Sequence, residues 1–112
     1  MTEELPLEID CQSVANKLGK QDDFVLIDCR EADEHATASI AGARLLPMSE
    51  LAQRVGELEE LRDHHIAVHC HHGGRSMKVT QWLRSQGYAT AQSMAGGIDA
   101  WALEIDRSLP RY

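Results

Sequence analysis

Apolar residues fall along the chain in two kinds of pattern. Two short runs, Phe24-Val25-Leu26-Ile27 and Ile66-Ala67-Val68, are unbroken, rich in β-branched residues and followed by polar segments. Runs of that length without alternation read as strands buried on both faces, as in a parallel sheet. Elsewhere apolar residues recur at helical spacing, predicting helices over Ser13 to Leu18, Ser49 to Leu61 and Met77 to Gln86. In the last of these, Val79, Trp82 and Leu83 share one face, and Gly87 suits its C-terminal cap. Weaker patterns predict strands at Leu7 to Ile9, Ala43 to Leu46 and Thr90 to Ser93, and a final helix at Ile98 to Leu103. Strands thus alternate with helices. The prediction is an α/β fold, a single open, mostly parallel β-sheet flanked by helices on both faces and joined by right-handed crossovers. Such sheets bind ligands beyond the carboxyl ends of their strands. Cys70 stands at one of those ends.

Composition narrows the setting. A chain of 112 residues can bury one core, so one domain over residues 1–112 is expected. Apolar residues make up 43% and charged residues 26%, an ordinary balance for a globular protein. The formal net charge of −7, with no basic patch, argues against nucleic-acid or anionic-membrane partners. No apolar run approaches a membrane span, and the acidic start MTEELPLEID lacks the features of a secretion signal. A cytoplasmic location is the expectation. The three cysteines, Cys11, Cys29 and Cys70, are too few and odd in number for a disulfide framework, and they are expected to remain thiols.

The stretch CHHGGRS, residues 70–76, carries the chemistry. With a strand ending at His69 and a helix starting at Met77, it forms a tight loop whose amides converge above Cys70. Gly73 and Gly74 permit the positive φ angles of an anion-binding nest. The helix N-terminus and the permanent charge of Arg75 add positive potential. A thiol in such a field ionises well below its usual value, so Cys70 is expected to be a thiolate and a nucleophile. A role as a small buried hydrophobe is disfavoured by the glycine pair and the arginine. Cys29 follows the other apolar strand, but Arg30 and Glu31 replace any glycine-rich turn, so a core or near-site role is expected for it; Cys11 is assigned none. A metal is not expected, because neighbours in the block His69-Cys70-His71-His72 point to opposite sides and no second ligand cluster completes a tetrahedral site. Nor is a cofactor. His64 and His65 are expected to be exposed before the strand and His69 packed. His71, His72 and Ser76 are expected to shape the rim.

Cysteine, four residues, then arginine resembles the active-site loop of rhodanese-type sulfurtransferases. Three further segments agree in order: LIDCRE (residues 26–31) resembles that family's Asp-x-Arg-Glu strand end, SIAGA (39–43) its His-Ile-Pro-Gly-Ala segment, and GGIDAW (96–101) its Gly-Gly-x-x-Ala-Trp motif. Ser39 and Ala41 depart from the family's His and Pro. The resemblance implies that Cys70 takes a sulfane sulfur from a small anionic donor such as thiosulfate, carries it as a persulfide, and passes it to cyanide, a thiol or a protein acceptor. Arg75 and the loop amides, with His71, His72, Gly73, Gly74 and Ser76 around the substrate, would hold the donor's charge. Asp28 and Arg30 match the family's motif and read as a supporting charge pair beside the loop. The ending EIDRSLPRY resembles rhodanese domains attached to sulfur-activating enzymes, which hints at a protein acceptor. Three alternatives stand beside a free enzyme: a persulfide carrier acting with a partner protein, a non-catalytic binding module, and a phosphatase or arsenate reductase. The last usually has five residues between cysteine and arginine, a larger ring.

Overall fold

The computed structural model describes residues 5–20 and 23–111. In chain order the elements are β1 (Glu8–Ile9), α1 (Cys11–Leu18), β2 (Phe24–Asp28), α2 (Ala32–Thr37), β3 (Arg44–Leu45), α3 (Leu51–Arg54), β4 (His65–His69), α4 (Gly74–Ser85), β5 (Gln92–Met94) and α5 (Gly97–Glu104). The strands form one five-stranded sheet in the order β1-β5-β4-β2-β3, and every pairing is parallel. The two apolar runs of the sequence make its centre, with Phe24 opposite His65 and Asp28 opposite His69.

Successive side chains of a strand point to opposite faces. Ile27 and Cys29 therefore share a face with Ile66, Val68 and Cys70, packed under Leu51 of α3, Leu58, and Val79 and Leu83 of α4. Leu26 and Ala67 look the other way, onto Val14 of α1 and Ile98 and Trp101 of α5. Both faces are covered, which is why the two central strands carry no polar alternation. The α/β prediction holds, and one consequence matters for the site: Cys29 and Cys70 lie side by side on the α4 face, while Asp28 and His69 lie on the other.

The local differences have local causes. The helix expected from Ser49 to Leu61 is a 3₁₀ turn (Met48–Glu50), the single turn of α3, and a 3₁₀ stretch (Val55–Leu61), because Val55 and Gly56 are poor helix formers in the middle of it. The unexpected helix α2 buries none of its residues. It is held instead by a capping box, in which Glu31 caps the N3 amide and Glu34 reaches back to the Glu31 N–H at 3.2 Å. Helix α4 begins at Gly74 and not at Met77. Its N-cap is Gly73, whose φ of 114° only glycine adopts without strain. His65 is not an exposed residue before the strand. It pairs with Phe24 within the sheet and is half-buried, with Nε2 2.6 Å from Oε1 of Gln92, and burial lowers its pKa. No helix among the described residues is long and apolar enough to cross a membrane.

Candidate active site

Cys70 follows β4 directly and points toward the start of α4. Its Sγ accepts the backbone N–H groups of Gly73 at 3.1 Å and Ser76 at 3.3 Å, and lies 3.4 Å from Oγ of Ser76. The Ser76 hydroxyl is itself fixed between the Gly73 carbonyl, at 3.2 Å, and Oγ of Ser93 on β5, at 2.8 Å. Gly74, Arg75 and Ser76 thus form the first turn of α4. Ser76 is fully buried and not on the rim, since the third residue of a helix whose next inward positions are Val79 and Thr80 faces the sheet.

This environment fixes the charge on the sulfur. The neighbouring Cys29 thiol, on the same face of the sheet, is the largest influence, and against the opposing effect of burial the Ser76 hydroxyl and the Ser76 and Gly73 amides add to it, bringing the Cys70 pKa down to about 4. The same contact, with burial, pushes the Cys29 thiol far up, so the pair holds its one proton on Cys29. Burial pushes the Cys11 thiol up as well, to about 11. A titration of the native protein followed by thiolate ultraviolet absorbance is therefore expected to show one thiolate persisting from neutral pH down to about pH 5 and disappearing near pH 4. An onset near the ordinary cysteine value would contradict this. The folded pKa lies below the unfolded one, so the contribution of Cys70 to stability is full above the unfolded value. It is lost as pH falls toward the folded value.

Beneath the loop, the structure brings Asp28 and Arg30 together. Both are fully buried, and Arg30 donates Nε to Oδ1 at 2.9 Å and Nη2 to Oδ2 at 2.7 Å. His35 Nδ1 lies 2.8 Å from the same carboxylate and His69 Nε2 3.8 Å from it. Burial alone would raise the Asp28 pKa, but these neighbours, Arg30 first, hold it at about 2. Arg30 also donates Nη2 to the Ala38 carbonyl at 2.6 Å and Nη1 to that of Glu34 at 3.3 Å. Helix α2, which buries nothing of its own, is thereby tied to the sheet.

Above the loop, α5 closes the cradle from the far end of the sequence. The N–H groups of Ile98 and Asp99 donate to the carbonyls of Cys70 at 2.9 Å and His71 at 3.1 Å. Gly97 has a φ of +61°, and a Cβ there would come within 2.5 Å of both carbonyl oxygens, which accounts for the glycine pair of GGIDAW. His71 and His72 stack with ring centroids 4.0 Å apart. Nδ1 of His72 lies 3.9 Å from the Asp99 carboxylate, which also takes Nε of Arg111 at 2.9 Å.

One partner was not visible in the sequence. Arg75 donates Nη1 and Nη2 to the two carboxylate oxygens of Glu34 at 2.7 and 2.9 Å, a bidentate pair across 41 positions of sequence. The only trace Glu34 leaves in the sequence is the capping-box spacing Glu31-x-x-Glu34. The hydroxyl of Ser93 beside Ser76 was equally unforeseen.

A family model described as a rhodanese-like domain matches residues 10–104. The chain belongs to the rhodanese-like domain family. A sulfurtransferase of Allochromatium vinosum is 36% identical over 95 residues, covering 85% of this chain and 87% of that relative. A rhodanese-like/PpiC domain-containing protein 12 of Arabidopsis thaliana is 37% identical over 95 residues; the match takes in 81% of this chain but the chain spans only 31% of that relative. Among solved structures, a rhodanese-related protein of Thermoplasma volcanium superposes with a TM-score of 0.77 at 31% identity, covering 88% of this chain and 92% of that one. The all-parallel sheet and its covering helices are thus the rhodanese-like fold, with the cysteine loop at the carboxyl end of β4.

Proposed function

We propose that this rhodanese-like domain is a sulfurtransferase in which Cys70 carries the sulfur. The observation that supports the reading best is a sulfur held by two backbone N–H groups at the start of α4, beside the Ser76 hydroxyl, with its pKa depressed. That cradle stabilises negative charge on the sulfur before reaction and on a persulfide after it. With thiosulfate as donor, the Cys70 thiolate attacks the outer sulfur, the donor's S–S bond breaks, and sulfite leaves with the bonding electrons. The acceptor, cyanide or a thiol, then attacks the outer sulfur of the persulfide and the Cys70 thiolate is regenerated. No proton is needed in either step when the leaving groups are anions. Cys70 is only 1% exposed, and four residues separate it from Arg75. A ring that small favours one added sulfur over a tetrahedral phosphate.

Intact-protein mass spectrometry tests the reading. After brief incubation with thiosulfate the protein is expected to gain the mass of one sulfur atom, and cyanide is expected to remove it with release of one equivalent of thiocyanate. No gain with thiosulfate, an organic thiosulfonate or a thiol persulfide would overturn the assignment. A gain that cyanide discharges slowly but a protein acceptor discharges rapidly would identify the domain as a sulfur carrier serving that acceptor.

A further inference from the structure

The pairing of Arg75 with Glu34 bears on which donors the site takes, an inference that rests on the sulfur-transfer reading. The loop carries a fixed cation one residue from Ser76, whose amide holds the sulfur, and such a cation is the natural counter-ion for an oxyanion donor. Yet both terminal nitrogens of Arg75 bind Glu34, so the fork that would grip a sulfonate is filled. The carboxylate is not a mobile surface group. Its side chain is 20% exposed, its Oε1 also accepts the Glu31 amide, and the helix that bears it is pinned by buried Arg30 through the Glu34 and Ala38 carbonyls. Arg111 is matched in the same way, its Nε 2.9 Å from the Asp99 carboxylate. The N–H groups at the start of α4 are already engaged by the Cys70 sulfur, so the charge of an incoming donor falls on Arg75.

We propose that Glu34 is a charge gate: by filling the guanidinium fork of Arg75 it selects sulfane-sulfur donors of low charge, organic thiosulfonates and thiol persulfides, over the thiosulfate dianion. A dianion brings one more negative charge than a monoanion toward an arginine already paired with Glu34, and to offset that charge it must compete with Glu34 for the guanidinium. Glu34 touches no reacting atom in this scheme. It sets specificity through Arg75.

Thiosulfate and methanethiosulfonate provide the matched test, since both present a sulfane sulfur on a sulfonyl group and differ by one charge. In E34Q the KM for thiosulfate is expected to fall by about ten-fold or more, the scale of one charge-assisted hydrogen bond regained, while that for methanethiosulfonate changes by less than about three-fold. The thiosulfate gain is expected to shrink in high salt and to vanish in E34Q/R75Q. Should E34Q fail to fold, E34D, which keeps the charge but shortens the reach and breaks the bidentate geometry, reads the same ratio of KM values with a smaller shift. Equal changes for the two donors, or a thiosulfate gain that survives R75Q, would overturn the gate while leaving sulfur transfer intact. If neither donor loads the wild-type protein, both the gate and the sulfur-transfer reading fall.

Discussion

Cys70→Ser is expected to leave the chain folded and to abolish sulfur loading. The oxygen of serine fits the same cradle and accepts the same amides of Gly73 and Ser76, so the loop keeps its shape. What disappears is the nucleophile, because a serine hydroxyl in this field stays protonated and attacks sulfur poorly. The check has two readings on one sample: urea unfolding, with a midpoint close to that of the wild type, and mass after thiosulfate or thiosulfonate, with no added sulfur. Loading that persisted in the variant would move the nucleophile to Cys29.

The second large effect is on stability. Arg30→Met is expected to destabilise the fold by about 3–5 kcal/mol, the usual result of leaving one member of a buried ion pair without the other. Asp28 would keep His35 and His69 as neighbours but lose two charge-assisted bonds at 2.9 and 2.7 Å, and the Ala38 and Glu34 carbonyls would lose the bonds from Arg30, that of Glu34 keeping the Ala38 N–H. Chemical denaturation gives the magnitude. The pH dependence gives the cause: in the wild type the Asp28 carboxyl sits near 2, below its unfolded value, so its stabilisation is present above that unfolded value and is lost as pH falls through the folded one. In the variant this acid-sensitive contribution shrinks, and the stabilities of the two proteins converge toward low pH. Parallel curves would show that packing, and not the ion pair, was what the substitution removed.

The contrast between these two sites explains what the sequence could convey. Cys70 was legible because everything that defines it is local: an apolar strand before it, a glycine pair after it and an arginine at fixed spacing. The central strands were legible for a related reason, since burial on both faces writes itself into an unbroken apolar run. Helix α2 was not, because it buries nothing and leaves no periodicity; its stability comes from a capping box and from the side chain of Arg30. The true start of α4 was hidden in the same way, as Gly74-Arg75-Ser76 contains no apolar residue and Ser76 is buried by its contact with Cys70. The partner of Arg75 lies 41 positions away on that unforeseen helix, and no pattern along a single chain encodes which carboxylate meets which guanidinium. Sequence thus supplied Cys70 and the loop around it but not the groups that reach them from other elements.

The docking of α5 on the loop sets an order of assembly. The carbonyls of Cys70 and His71 are capped by amides 28 residues further along, from Ile98 and Asp99, and the hydroxyl beside the sulfur is anchored by Ser93 of β5. During synthesis the strand and the glycine loop emerge first, without those anchors. Only when the chain has passed Gly97 and α5 has settled on the sheet does the loop acquire its final hydrogen bonds. A chain interrupted before its last helix would carry Cys70 in a loop lacking the two hydrogen bonds that α5 gives its carbonyls.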